Sequence, residues 1–198
     1  GVGLADFIKQ LTPSQLAAPS AGAELPYALL RRGQDYEVRR YPSFTAVCIP
    51  YSRRDDGFLS LGAFTRGLQP LAPAVLTVMA GGKTMLWPLR FAAPGEDRPV
   101  DDAAISARLA ESEFVDGSNE IVTIPERVVA VGRFSDASLE PVVRRADRLL
   151  RISCKRDGLR VVPESENQVR FAQYDAVFSM GQRRGEVWLD LADDGLPW

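Results

Sequence analysis

Residues 36–50, YEVRRYPSFTAVCIP, decide how the chain is read. The stretch has the composition of a strand, yet Arg39 and Arg40 stand side by side inside it. Neighbours in a strand point to opposite faces, so both guanidiniums cannot lie on the wet side of a half-buried sheet. Either the strand is an edge, or one arginine faces a buried partner. Pro42 follows two residues later, and a bulge expected there would suspend strict alternation. One arginine is therefore expected in solvent, and the other on an acid such as Glu37 or Glu186.

The chain around this stretch is 198 residues long, enough for one large domain with a sizeable core. Its 45% hydrophobic and 25% charged residues are ordinary for a globular protein. A net charge of −2 gives no overall pull toward nucleic acid, and no apolar run reaches the length of a membrane-spanning helix. The 21 Arg against 3 Lys would suit carboxylate recognition, although base composition alone produces the same bias. Histidine is absent, which closes the chain to imidazole bases, Ser–His or Cys–His dyads and imidazole metal ligands. Cys48 and Cys154 have no metal-ligand spacing, and the carboxylates are scattered without pairing for acid/base work. No catalytic residue and no metal site is assigned.

Residues 1–25 read as an N-terminal arm and linker, with 26–198 as a single domain. Two strands are expected around Gly33–Gln34–Asp35, then a helix over RRDDGFLSLGAFTRG capped by Asp55 or Asp56 and closed by Gly67. A hairpin is expected around Ala80–Gly81–Gly82–Lys83, with Pro88 marking an edge or a bulge. A turn or two of helix follows near Ile105–Leu109. The clearest helix carries Leu139, Val142, Val143, Ala146, Leu149 and Leu150 as its apolar stripe. Arg144, Arg145, Arg148 and Arg151 lie off that stripe and read as a solvated face. NQVRFAQYDAVF and GEVWLDL close the chain as strands.

Two segments share one order. RRYPSFTAVCIPYSRRDDGFLSLGAFTRGL and VTIPERVVAVGRFSDASLEPVVRRADRLL each run strand, proline break, strand, polar loop, helix, about 83 residues apart. Two such units suggest one α+β domain with pseudo-twofold symmetry, with both helices packed on a curved antiparallel sheet. A cleft between the helix of one repeat and the shared sheet is the natural concavity.

In this order the blocks YEVRRY, GFLSLGAFTRG, LAPAVLTVMAGGK, IPERVVAVGRFSD and the closing RRGEVW resemble the SOUL haem-binding protein family over roughly residues 26–192. Two departures stand out. The family's MTxPV element is Leu71–Ala72–Pro73–Ala74–Val75 here, and the Asn of its RRNEVW block is Gly185.

The resemblance implies an α+β fold, a distorted antiparallel β-barrel of two pseudo-symmetric strand–strand–helix repeats with two main helices packed on it. It also implies a reversibly bound haem or other tetrapyrrole in a shallow apolar cleft beside the first helix. A wall of Phe58, Leu61, Gly62 and Thr65 is expected, with Met85 and Trp87 from the hairpin and Phe178 and Met180 from the closing segment. Arg66 would flank the cleft, and Arg53 and Arg54 would meet propionates. With no histidine, any axial iron ligand would come from Cys, Met or Tyr, or the ligand would be held by burial and arginine–propionate pairs alone. The function expected is a non-enzymatic tetrapyrrole carrier. The alternative is an interaction module or accessory subunit, with a lost or remodelled pocket, joining a larger complex through residues 1–25. A processed plastid protein is favoured over a cytosolic one.

Overall fold

The computed structural model describes residues 23–93, 96, 102–111, 119–135, 140–174 and 184–198. Among them the strands are β1 (Ala28–Arg32), β2 (Glu37–Tyr41), β3 (Phe44–Tyr51), β4 (Ala74–Met79), β5 (Gly82–Phe91), β6 (Glu120–Ile124), β7 (Arg127–Ser135), β8 (Gln168–Gln173) and β9 (Arg184–Leu191). The α-helices are α1 (Arg54–Phe64), α2 (Ala103–Ala110) and α3 (Glu140–Arg156). All strand pairs are antiparallel, in the order β1-β2-β7-β9-β8-β4-β5-β3-β6.

That order carries the expected repeat and extends it. Exchanging β2, β3, β4 and β5 for β6, β7, β8 and β9 reverses the order of the eight strands after β1 onto itself, so each repeat is ββαββ and the pseudo-twofold runs between β4 and β8. The register obeys it too. An offset of about 83 residues carries the pair Glu37↔Val131 onto Glu120↔Cys48.

Alternation within the strands builds two cores. Val47, Leu76, Met85, Trp87, Ala130, Phe171, Val187 and Leu189 turn to the helix-covered face, joined by Phe58, Leu61 and Phe64 of α1 and Val143 and Leu150 of α3. Phe44, Val75, Val129, Ala172 and Trp188 turn to the other face and are buried there as well. A void on that side is lined by Phe44 of β3 and Leu86 of β5 together with Trp188 of β9, a strand that pairs with neither, because the sheet curls into a half-barrel around it.

Local expectations are sharpened. Asp55 and Asp56 lie in the first turn of α1 rather than capping it; Arg53 is the N-cap and Thr65 the C-cap, with Gly67 beyond at a φ of 83°. The aspartates still favour the positive helix end. Pro88 lies in a central strand, where the register with β3 slips between Thr45 and Ala46, so the bulge alternative holds and the edge alternative does not. On α3 the inward positions are Val143, Asp147, Leu150, Ser153 and Cys154, and Leu149 points out. Leu139 lies outside the described residues.

Candidate functional site

One of the paired arginines meets solvent and the other is buried, as expected, but no bulge separates them. β2 pairs with β7 in unbroken register from Glu37 to Tyr41, so ordinary alternation sends Arg39 and Arg40 to opposite faces. Arg40 is half-exposed and bonds Asp193 and Glu126. Arg39 is wholly buried; its Nη2 lies 2.7 Å from Glu37 and 2.9 Å from Glu186, and its Nη1 donates to the Tyr41 hydroxyl at 2.9 Å. Tyr174 Oη and Trp188 Nε1 donate to Glu186 at 2.5 and 3.3 Å, and the Tyr27 ring lies 4.2 Å from the Arg39 guanidinium. Burial alone would raise the Glu37 carboxyl, but Arg39, Arg133 and Arg32 outweigh it and hold the group below its usual range. Burial likewise opposes the Arg39 charge, and Tyr41 and Glu186 more than restore it. Every charge here has a partner, and the network ties β2 to β9. It is a structural clamp.

The concavity on the helix face has a different character. Tyr51, Val78, Val143, Val169 and Phe171 floor a cleft of about 230 Å³, and Arg54, Lys83, Arg144 and Glu140 stand at its rim. It straddles the pseudo-twofold: Val78 of β4 pairs directly with Val169 of β8, Arg54 opens α1, and Glu140 opens α3. Arg144 lies 2.7 Å from Glu140 and holds that carboxyl below its usual range. Three cations therefore face one anion around an apolar floor. Burial pushes the Tyr51 phenol up to about 12, so it enters the cleft protonated.

Of the residues expected to form the site, Arg54 lies in this cleft, where it also donates to Gln173 at 3.4 Å. Phe58, Leu61, Met85 and Trp87 are brought together in the core between α1 and the sheet, the Phe58 and Trp87 rings 5.8 Å apart. Trp87 Nε1 is buried there without a hydrogen-bond partner among the described residues. Thr65 is buried and its hydroxyl bonds the Leu61 carbonyl. Gly62 is half-exposed, Arg66 is exposed, and Arg53 lies 3.3 Å from Asp55. At Gly57 on α1 a Cβ would lie 2.9 Å from the Met85 side-chain methyl, Cε. Phe178 and Met180 lie outside the described residues, as do residues 1–22 of the arm; Leu25 is buried and Glu24 pairs with Arg184.

Sequence reading missed Tyr51, Val78, Val143, Val169 and Phe171 as one surface. The signal was present. Comparison of the two repeats stopped at their helices; carried through the hairpin that follows each helix, it would have marked β4 and β8 as equivalent strands, and their direct pairing is what brings Val78 to Val169.

Among known proteins, the family model described as SOUL heme-binding protein matches residues 23–190. No curated protein matches the chain. Among solved structures, a hydrolase from Listeria innocua superposes with a TM-score of 0.54 at 8% identity, over 82% of this chain and 94% of that one. An uncharacterized conserved protein from the same organism gives 0.53 at 9%, over 78% and 92%. The C-terminal domain of EcmrR gives 0.51 at 10%, over 84% and 98%. At these identities the likeness concerns the fold alone.

Proposed function

The chain belongs to the SOUL heme-binding protein family, and from that premise we propose that it is a non-enzymatic carrier holding a tetrapyrrole in the cleft between α1 and α3. The observation that carries the reading is an apolar floor ringed by Arg54, Lys83 and Arg144. A porphyrin is a flat apolar disc with carboxylates on one edge. Tyr51, Val78, Val143, Val169 and Phe171 would bury its face, and the rim cations would pair with its propionates.

The residues present fit the organic ligand better than its iron. When bound, haem would supply the iron, and the cleft offers it no imidazole, thiol or thioether among the described lining residues. Its phenol, Tyr51, is held protonated. Attachment then rests on burial and ion pairs. The cleft is also smaller than the roughly 300–1,000 Å³ of enclosed ligand sites, which favours weak, reversible holding.

Titration of the purified protein with haemin and with metal-free protoporphyrin IX, followed by the Soret band and Trp quenching, tests this. Saturation by both compounds in the micromolar range, with affinities within about threefold, is expected. Haemin binding 100-fold tighter would point to axial ligation from elsewhere, and saturation by neither compound would end the carrier reading.

A further inference from the structure

The two most exposed large apolar side chains among the described residues are Ile152 at 64% and Leu149 at 54%. They stand three positions apart on α3 and share one of its faces. Arg145, Arg148, Lys155 and Arg156 are exposed and fall on that face at helical spacing. Neither acid of the helix lies there: Glu140 is at its first turn with Arg144, and Asp147 is buried on the opposite side with Arg151. Among the described residues, acids approach this face at its C-terminal end, where Arg156 meets Asp157 and Asp35.

This face is therefore apolar at its centre and cationic around it, on a chain whose net charge is −2. We propose that it docks α3 flat on an anionic lipid bilayer, with Leu149 and Ile152 entering the acyl boundary and the four cations meeting headgroups. A nucleic acid offers phosphates to the same cations but rewards nothing for burying two aliphatic side chains. A bilayer interface rewards both. Overall charge gives no attraction, so the segregated face both selects the surface and orients the molecule on it. Arg144 stands one turn from Arg148, which places the rim of the cleft beside the docked surface. Docking does not depend on what the cleft binds.

The test is vesicle co-sedimentation of the full chain without added tetrapyrrole, using phosphatidylcholine alone and with about one-third phosphatidylglycerol. Binding to the anionic vesicles only, released by salt, is expected. Arg145→Ser with Arg148→Ser should lower partitioning about 25-fold, near fivefold per cation. Leu149→Ser with Ile152→Ser should lower it about tenfold or more. All four side chains are exposed, so thermal melts of both variants should match the parent. Equal binding to neutral vesicles, no binding to anionic ones, or unchanged binding by either variant would overturn the proposal. So would binding to a DNA duplex as tight as to vesicles and retained in the Leu149→Ser, Ile152→Ser variant.

Discussion

Arg39 and Glu186 lie 147 residues apart in the chain and 2.9 Å apart in the fold, and neither side chain touches solvent. They belong to the two blocks, YEVRRY and RRGEVW, on which the family resemblance most strongly rests. Those blocks are joined by a buried ion pair, so the pattern records a requirement of folding.

The two partners are not equivalent. Arg39→Met leaves the buried Glu186 without its cation and Glu37 with only Arg32 and Arg133 at 3.5 and 3.6 Å, and should cost about 3–5 kcal/mol. Glu186→Gln leaves the Arg39–Glu37 pair intact and keeps an acceptor for Tyr174 and Trp188, so about 1–3 kcal/mol is expected. Urea unfolding of both variants checks the order. Equal losses would show that Glu37 contributes nothing to neutralising Arg39.

Gly185 stands where the family pattern has Asn, and Phe134 explains it. The two residues pair directly across β7 and β9, and a Cβ at Gly185 would lie 2.5 Å from the Phe134 ring. Gly185→Asn should therefore destabilise by about 1–3 kcal/mol through overpacking. Phe134→Ala in the same chain should recover part of that loss, and a double-mutant cycle by thermal melting measures the coupling. Additive losses would mean that the ring moves aside freely.

Acid sensitivity has an identifiable contributor in Asp157. Its carboxylate is held at about 2 against an ordinary 3.8, first by Arg156 and then by the Tyr36 hydroxyl, which donates at 2.6 Å. A depressed carboxylate stabilises the fold above its unfolded pKa, and that contribution disappears as pH falls through the folded value. Between about pH 4 and pH 2, Asp157→Asn should flatten the decline of Tm with pH. An acid limb of unchanged slope in that window would remove Asp157 from the account.

The cleft reading separates charge from shape. Arg54→Ser with Lys83→Ser should weaken protoporphyrin IX about tenfold while leaving its dimethyl ester, which has no carboxylates, unaffected. Val169→Trp fills the floor and should abolish binding of both compounds. Bulk at Gly62 on α1 provides the contrast. Loss with Gly62→Trp, and none with Val169→Trp, would move the ligand to the Phe58–Trp87 wall.

Much of the fold was legible in the sequence because its devices are local. Alternation, Pro42 and Pro125, and the α3 periodicity fix where strands and helices run, and the shared order of two segments fixes the repeat. That one arginine of the pair meets solvent and the other an acid was legible; that Arg39 is the buried one, and that Glu37 and Glu186 both bind it, only the folded chain reveals. The site was less legible. Phe58, Leu61, Met85 and Trp87 look alike as core and as ligand wall, because both need apolar side chains at helical or strand spacing. Leu149 joined the apparent stripe of α3, while the inward turn is occupied by Asp147, whose pairing with Arg151 only the folded chain reveals. Curling of the sheet is collective and left no mark on any single segment.

The β4–β8 pairing also has a consequence for assembly. The chain behaves as a dimer of itself, two ββαββ units held at high effective concentration by the connection from β5 to β6. The cleft occupies the place of a subunit interface and belongs to neither unit alone, since one brings Tyr51, Arg54 and Val78 and the other Val143, Val169 and Phe171. Divided within that connection, the protein would have a complete floor only when both fragments were present.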